Sequence, residues 1–264
     1  MTVCIAAITL GNEIVTVSDT MIHGLMSSAD ANTVKMSALA KDWNVMWAAD
    51  DITQCIPIVQ RAEQYFTNRD NTLRVARSCL KRAYQQHLTE MRADQVLGAF
   101  GMDMRTFLDT KATRFSEKES EALMSRMDQI RGDWEFLAFG FDARKEPHLF
   151  TVSEPGADCT YDVPGFCSVG SGKYAADSLL FQLEQSRACT LEKTLVSLLF
   201  AKFMAEKAGA GRHTFICAGN HGSTLCHMSP ELEPTARRIW EDRVSPKVTD
   251  QIVDEICRQP IRLT

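Results

Sequence analysis

Residues 2–20 contain the pattern that decides the fold, TVCIAAITLGNEIVTVSDT. Two apolar, β-branched runs, 3–9 and 13–20, flank the dipeptide Gly11-Asn12. Two such runs separated by a Gly-Asn pair are typical of a tight β-hairpin. The sequence therefore predicts that the chain begins with two antiparallel strands.

The register of this hairpin decides which side chains share a face. If Gly11 and Asn12 form a two-residue turn, Cys4 pairs with Asp19. Directly paired residues, and alternate residues beyond them, lie on the same side of a sheet. Thr2 and Asp19 are then expected on one face, as diagonal neighbours about 7–8 Å apart between Cα atoms. A slip of one residue would place Asp19 on the other face.

In the rest of the chain, predicted strands and helices occur in groups of the same kind and do not alternate regularly. Strand patterns follow at 34–39, 44–49, 134–141, 148–153, 166–169, 212–218 and 223–228. Helical periodicity appears at 52–66, 73–91, 116–130, 173–183, 191–207 and 234–259, whereas residues 93–115 are less regular. A parallel α/β fold would alternate helix and strand regularly. The grouping instead predicts an α+β fold, a four-layer αββα sandwich of two antiparallel sheets flanked by helices.

Composition narrows the class of function. The chain has 264 residues, 45% of them apolar and 24% charged, which is ordinary for one large globular domain. A net charge of −5 without a basic tract argues against nucleic-acid and membrane binding. Nine cysteines without C-x-x-C spacing predict reduced core cysteines in a reducing compartment. Without a secretory signal pattern, we expect a cytoplasmic protein.

Thr2 carries the candidate chemistry. Thr after Met permits removal of the initiator Met1, and a free N-terminal threonine carries its own base. Its α-amine, with an ordinary pKa of about 7.7–8.0, can take the hydroxyl proton. A lysine beside Asp19 would stay charged and hold the nucleophile, and Lys35 is the obvious candidate. Taken singly, each of these residues is more often an ordinary strand or turn residue.

Their order and spacing make the chain similar to the proteasome β-subunits and their bacterial peptidase relatives. The likeness covers roughly residues 2–66 and 134–228. It is carried by Thr2-Val-Cys-Ile-Ala-Ala, Val15-Thr-Val-Ser-Asp19, Val34-Lys35-Met36, Trp47-Ala-Ala-Asp50-Asp51, Phe139-Gly-Phe-Asp142, Pro147-His-Leu-Phe150 and Ser168-Val-Gly-Ser-Gly172.

The resemblance implies the N-terminal nucleophile (Ntn) hydrolase fold and a role for each of five residues. Thr2 would be the nucleophile, with Asp19 and Lys35 as the charged pair beside it. Ser171 would supply a hydroxyl near the terminal amine. Ala49 falls where the family, usually with glycine, supplies an oxyanion-hole N–H, which alanine can still donate.

The sequence departs from the family pattern at the specificity pocket and at the residues that support the terminal amine. Met21 stands where the family often carries arginine, and Trp47 falls where the depth of the specificity pocket is set. A side chain as bulky as Trp47 implies a shallow or closed pocket. The family's later Asp and Ser, which support the terminal amine, have no evident match in residues 206–211.

The resemblance also suggests a domain organisation. Residues 1–233 would form the proteasome-like domain, with a helical insertion at about 94–131. Residues 234–264 would form a C-terminal helical extension. Both additions are longer than the family core needs and could make ring contacts or cover a pore.

Two further motifs are interpreted structurally. A cluster of histidines and cysteines lacks the spacing of a zinc finger, so we predict no metal site among His213, Cys217, His221, Cys226 and His227. Gly170-Ser171-Gly172 before a helix could bind an anion, but a single G-x-G is weak evidence for a nucleotide site. A tight turn is the preferred interpretation.

Two functions remain open from the sequence. The first is a threonine-type hydrolase of peptides or small amides that needs no cofactor. It would assemble as a homo-oligomeric ring or stacked rings and could receive substrates from an unfoldase or adaptor. The alternative is a non-peptidolytic proteasome-like ring that acts as a scaffold or binding partner.

Overall fold

The computed structural model describes residues 2–24, 27–30, 34–49, 51–67, 69–222, 226–227 and 231–245. The strands are β1 (Cys4–Ile8), β2 (Ile14–Asp19), β3 (Met21–Gly24), β4 (Ser27–Asp30), β5 (Met36–Ala40), β6 (Trp43–Ala48), β7 (Glu135–Phe141), β8 (Pro147–Ser153), β9 (Ala157–Thr160), β10 (Phe166–Val169), β11 (Thr214–Gly219) and β12 (Cys226–His227). The helices are α1 (Cys55–Phe66), α2 (Leu73–Leu97), α3 (Met104–Arg114), α4 (Glu117–Gln129), α5 (Lys173–Gln182), α6 (Leu191–Lys207) and α7 (Leu232–Ile239).

The strands form two five-stranded antiparallel sheets. The first has the order β10-β1-β2-β11-β12 and the second β5-β6-β7-β8-β9, while β3 and β4 pair only with each other. Helices α5 and α6 cover the outer face of the first sheet, and α1 and α2 cover the second. The predicted αββα sandwich is therefore confirmed.

Strand β1 shows why the sandwich forms. Cys4, Ala6 and Ile8 face the other sheet, whereas Ile5 and Ala7 face the helices α5 and α6. Every residue of β1 is buried, because both faces of its sheet are covered. A strand covered on both faces has a continuous apolar sequence rather than an alternating one.

Strand β6 has the same two-sided burial. Trp43, Val45 and Trp47 pack against the side of α1 and α2. Met46 and Ala48 face the first sheet across the central core. The end of β6 therefore lies where the central core meets the start of β1.

The first hairpin has a three-residue loop, so the predicted two-residue turn was wrong. The Thr9 amide donates to the Glu13 carbonyl, and Asn12 adopts a left-handed conformation with φ 61°. Loops of this kind end in a left-handed residue, for which Asn and Gly are best suited. The register shifts by one residue, and Cys4 pairs with Ser18 instead of Asp19.

Residues 94–131 hold the end of α2 and the helices α3 and α4. A small separate core joins them, built from residues such as Leu97, Phe107 and Leu123. Ser116 and Glu119 form the capping box that the sequence indicates at the start of α4. Helix α3 was not predicted, because Phe107 is its only buried residue and its amphipathic pattern is weak.

Helix α7 packs against α6 at the C-terminal end of the described chain. Trp240, just after α7, is 2% exposed and contacts Phe200 and Phe203. The predicted helical tail extends to residue 259, and its part after residue 245 lies outside the described residues. No helix within the described ranges is long and apolar enough to cross a membrane.

Candidate functional site

Thr2, Lys35 and Asp19 meet at one end of the sandwich. The Lys35 ammonium donates to Thr2 Oγ1 at 2.7 Å and to Asp19 Oδ1 at 3.0 Å. The three residues are 5%, 1% and 0% exposed, respectively. The ammonium therefore links the hydroxyl and the carboxylate away from bulk water.

The Asp19 carboxylate is satisfied on both of its oxygens. Val3 N–H donates to Oδ1 at 3.1 Å, and Gly211 N–H donates to Oδ2 at 3.0 Å. A buried charge is tolerated only when it is paired and hydrogen-bonded. With two backbone amides and one ammonium, Asp19 meets that requirement and keeps a fixed orientation.

The expectation that Asp19 shares the face of Thr2 through strand pairing was wrong. Asp19 lies opposite Val3, since the Asp19 amide donates to the Val3 carbonyl at 3.1 Å and Cys4 pairs with Ser18. A one-residue shift exchanges the faces of a strand. The long Lys35 side chain, which enters from the residue before β5, makes the connection instead.

The Gly170–Gly172 turn holds the backbone of Thr2. The Thr2 nitrogen donates to Ser171 Oγ at 3.2 Å, and Gly172 N–H donates to the Thr2 carbonyl at 3.1 Å. Gly170 has φ 97°, and a Cβ there would lie 2.3 Å from the Thr2 carbonyl oxygen. Both observations require glycine at position 170. The motif is thus a tight turn that contacts Thr2.

A cavity of about 460 Å³ opens beside Thr2. Ala49 and Ser171 line it together with Thr2, as do Ala48, Gly132, Asp133, Trp134, Glu135, Ser153, Glu154, Gly170, Lys173 and Tyr174. Its volume is in the usual range of small-ligand sites. The predicted nucleophile, the amine neighbour and the oxyanion position therefore share one cavity.

Glu135 and Lys173 are cavity residues that the sequence did not single out together. The Glu135 carboxylate accepts the Gly170 N–H at 2.7 Å and pairs with the Lys173 ammonium at 2.5 Å. The pair joins β7 of the second sheet to the turn that holds Thr2. A charged residue at the start of the apolar strand 135–141 was the available signal.

Met21 and Trp47 are the two predicted pocket residues. Trp47 is 4% exposed and belongs to the core between the second sheet and α1, with Cys55 and Ile58. Met21 begins β3 and pairs with Asp30. Neither residue is among those that line the cavity beside Thr2.

Cys4, two residues after Thr2, is a second possible nucleophile by residue type, and its environment disfavours that role. Burial raises the pKa of the Cys4 thiol to about 12; the Lys35 charge opposes this shift and the Asp19 charge adds to it. The thiol donates to the Trp47 carbonyl at 3.5 Å. Since a thiolate is the reactive form of cysteine, the hydroxyl of Thr2 is the better placed group.

The arrangement can support nucleophilic attack by Thr2. A cation at 2.7 Å from Oγ1 stabilises the negative charge that develops when the hydroxyl loses its proton. The base would be the Thr2 nitrogen once it is a free amine. Met1 itself lies outside the described residues.

Comparisons with known proteins support the fold. No protein-family model matches the chain, and no curated protein matches it in sequence. Among solved structures, a Gly-1 mutant of Anbu from Hyphomicrobium sp. strain MC1 is similar, with a TM-score of 0.62 and 12% sequence identity. The match covers 100% of both chains. At this level of identity the likeness shows the fold alone, and that fold is proteasome-like.

Proposed function

We propose that this chain is a threonine-type hydrolase that cleaves amide bonds in peptides or small amides through Thr2. One observation carries the proposal: the Lys35 ammonium lies within hydrogen-bonding distance of both Thr2 Oγ1 and Asp19 Oδ1, at 2.7 and 3.0 Å. The burial of all three residues strengthens each of these electrostatic contacts.

The proposed reaction begins after Met1 has been removed. The free amine of Thr2 takes the Oγ1 proton, and Oγ1 forms a bond to the carbonyl carbon of the substrate. The Ala49 N–H supports the resulting oxyanion. The scissile C–N bond then breaks, the leaving amine takes the proton, and an ester to Thr2 remains. Water hydrolyses that ester and restores the hydroxyl.

The cavity and its turn suit this sequence of steps. Ser171 Oγ lies 3.2 Å from the Thr2 nitrogen, where it can orient the amine. The Thr2 carbonyl is fixed by Gly172 N–H, so the nucleophile keeps one backbone position during attack. Fixing the reacting groups in advance is a large part of enzymatic rate enhancement.

We also propose the wider organisation that the family resemblance implies. Residues 1–233 form the hydrolase domain with its insertion at about 94–131, and residues 234–264 extend it. The protein assembles as a homo-oligomeric ring in the cytoplasm, where an unfoldase or adaptor could supply substrates. Ring assembly would restrict access to the cavity beside Thr2.

Two observations favour a second candidate, a proteasome-like ring that acts as a scaffold. The indole of Trp47 is packed in the core below β6 instead of leaving a pocket there. In addition, residues 206–211 provide only the Gly211 amide to the site, through Asp19, among the contacts of the described chain. The absence of a pocket at Trp47 and of further side-chain support for the amine among the described residues 206–211 would suit a partner-binding ring.

Intact mass spectrometry separates the two candidates. The protein is first checked for loss of Met1 and then treated with a β-lactone. The Thr2 hydroxyl can attack the lactone carbonyl, which opens the ring and leaves an ester on Thr2. We expect one reagent mass on the wild type and none on Thr2→Ala. Thr2→Ser, which keeps the hydroxyl, should still be labelled. A processed N-terminus that takes up no reagent would support the scaffold.

A further inference from the structure

A partly buried ionic cluster joins α6 to α7. Lys202 on α6 has a fully buried side chain and donates to Glu206 at 2.5 Å. Arg237 on α7 forms two hydrogen bonds to Glu206, at 2.6 and 2.9 Å, and one to Glu233 at 2.6 Å. Its guanidinium also lies 4.3 Å from the centre of the Phe203 ring. Arg237 is therefore fixed by a two-point contact with a carboxylate and by an aromatic face.

The two cations of this cluster converge on one backbone carbonyl. Lys202 Nζ donates to the Arg212 carbonyl oxygen at 2.5 Å, and Arg237 donates to the same oxygen at 2.9 Å. The preceding turn is closed by the Ala210 amide, which donates to the Ala205 carbonyl at 3.1 Å. Residues 210–212 are thus held at both ends.

This short segment contacts the candidate active site. Gly211 N–H donates to Asp19 Oδ2 at 3.0 Å, and Asp19 in turn holds the Lys35 ammonium at Thr2. Thr214, two residues after Arg212, pairs with Asp19 across the sheet. A continuous chain of contacts therefore leads from Arg237 to the nucleophile.

Net stability alone does not account for the cluster. Burial lowers the pKa of Lys202, and the charge of Glu206 only partly offsets that effect. Buried ion clusters are often no more stabilising than apolar residues of the same size. Helix α7 already has an apolar anchor, since Trp240 packs against Phe200 and Phe203. The cluster adds a fixed position for the Arg212 carbonyl.

We propose that Arg237 is a positioning residue for the hydrolytic site. It holds residues 210–212 so that the Gly211 amide orients the Asp19 carboxylate, and through it Lys35 and Thr2. The inference rests on the proposed role of Thr2. It makes the helix after residue 231 a part of the site, although none of its residues lines the cavity.

The test compares Arg237→Gln with Arg238→Gln. Arg238 is the next residue of α7 and is exposed, so it is a matched control. The rate of β-lactone labelling is measured at several reagent concentrations to separate kinact from KI. We expect Arg237→Gln to lower kinact about tenfold while KI changes by less than about twofold. Arg238→Gln should leave both unchanged.

A purely structural role gives a different result. A fraction of irreversibly misfolded protein would reduce the final labelled fraction without slowing the molecules that react, whereas misplacement of Asp19 slows them all. Arg237→Lys keeps one cation without the two-point contact, so its kinact should fall between those of the other two proteins. It replaces Arg237→Gln if that variant does not melt cooperatively. An unchanged kinact, or an equal loss in Arg238→Gln, would overturn the proposal.

Amide hydrogen exchange separates this proposal from the proposed function. If the wild type takes up no label, the hydrolase proposal fails, but the effect of Arg237 on residues 210–212 can still be measured. Exchange in residues 208–214 should be faster in Arg237→Gln than in Arg238→Gln, because Gly211 loses its fixed position. Equal exchange in the two variants would refute the positioning role even in a protein that labels.

Discussion

Each end of the β-sandwich holds a basic side chain, and the two are paired differently. At the Thr2 end, Lys35 contacts one carboxylate and one hydroxyl. At the opposite end, His148 lies between two carboxylates, with Nδ1 2.7 Å from Asp162 and Nε2 3.6 Å from Asp142. The Lys35 side chain is 1% exposed and that of His148 is 16% exposed.

Lys35 and His148 differ in the second group that each of them contacts. At the far end, the histidine connects the loops after β7 and β9, and its charge is used for structure. At the Thr2 end, a neutral hydroxyl replaces the second carboxylate, so part of the ammonium charge acts on a group that can react. The two basic side chains thus differ in what their charge contacts: carboxylates alone at the far end, and a carboxylate together with a hydroxyl at the Thr2 end.

The largest expected effect is on the Lys35 side of this comparison. Lys35→Met removes the ammonium from Thr2 Oγ1, and β-lactone labelling should fall about a thousandfold or more. The free energy of unfolding should fall by about 3–5 kcal/mol, since Asp19 loses its buried partner. Labelling rates and urea unfolding curves measure the two effects.

Lys41→Met is the matched control for Lys35→Met. Lys41 is exposed in the turn between β5 and β6, on the same hairpin as Lys35. Its replacement should change neither labelling nor stability by a measurable amount. A folded Lys35→Met protein that labels at the wild-type rate would show that the ammonium has no part in the chemistry.

A smaller effect is expected at His148, and it should depend on pH. Burial opposes the shift, but the hydrogen bond to Asp162 and the charges of Asp162 and Asp142 raise the pKa of His148 above its ordinary 6.5. The folded state therefore binds more protons between pH 6.5 and the raised pKa, and stability falls as pH rises through that window.

His148→Gln should remove this pH dependence. The free energy of unfolding should fall by on the order of 1 kcal/mol near pH 6 and by less at alkaline pH, because the wild type loses the protonated form as the pH rises through the raised pKa. Thermal unfolding at the two pH values measures the difference. Thr2 labelling should not change, and a loss of labelling would show that the two ends are coupled.

The smallest effect concerns Asn12, in the hairpin loop at the far end. Asn12→Gly should be nearly neutral, whereas Asn12→Val should cost about 1–2 kcal/mol, since a β-branched residue disfavours φ 61°. Urea unfolding of the two variants measures the difference. Equal stabilities would argue against the left-handed loop that sets the register of β1 and β2.

The layers of the fold could be predicted from the sequence, but the register could not. Continuous apolar runs and the grouping of strands and helices are enough for an αββα sandwich. A two-residue and a three-residue loop both suit Gly11-Asn12, and the choice moves every pairing of β1 by one position. Strands β3, β4 and β9 are short and lack an apolar pattern, so they were not predicted.

The side chains of the site could be predicted from the sequence, but its backbone contacts could not. Thr2, Asp19 and Lys35 have a recognisable order, and the structure brings them together. The Gly211 amide is a backbone donor that any residue except proline could provide, so no particular residue type in the sequence indicates it. Glu135 and Lys173 lie 38 positions apart, and only the packing of the two sheets makes them neighbours.

The contacts around Thr2 bear on the proposed removal of Met1, which would change the chemistry of the Thr2 nitrogen while these contacts stay in place. The carbonyl is held by Gly172, the hydroxyl by Lys35, and the next amide by Asp19. None of these three anchors involves the residue that precedes Thr2. Cleavage before Thr2 would convert one amide nitrogen into an amine and leave these three anchors in place, so the proposed processing would change reactivity without moving the nucleophile.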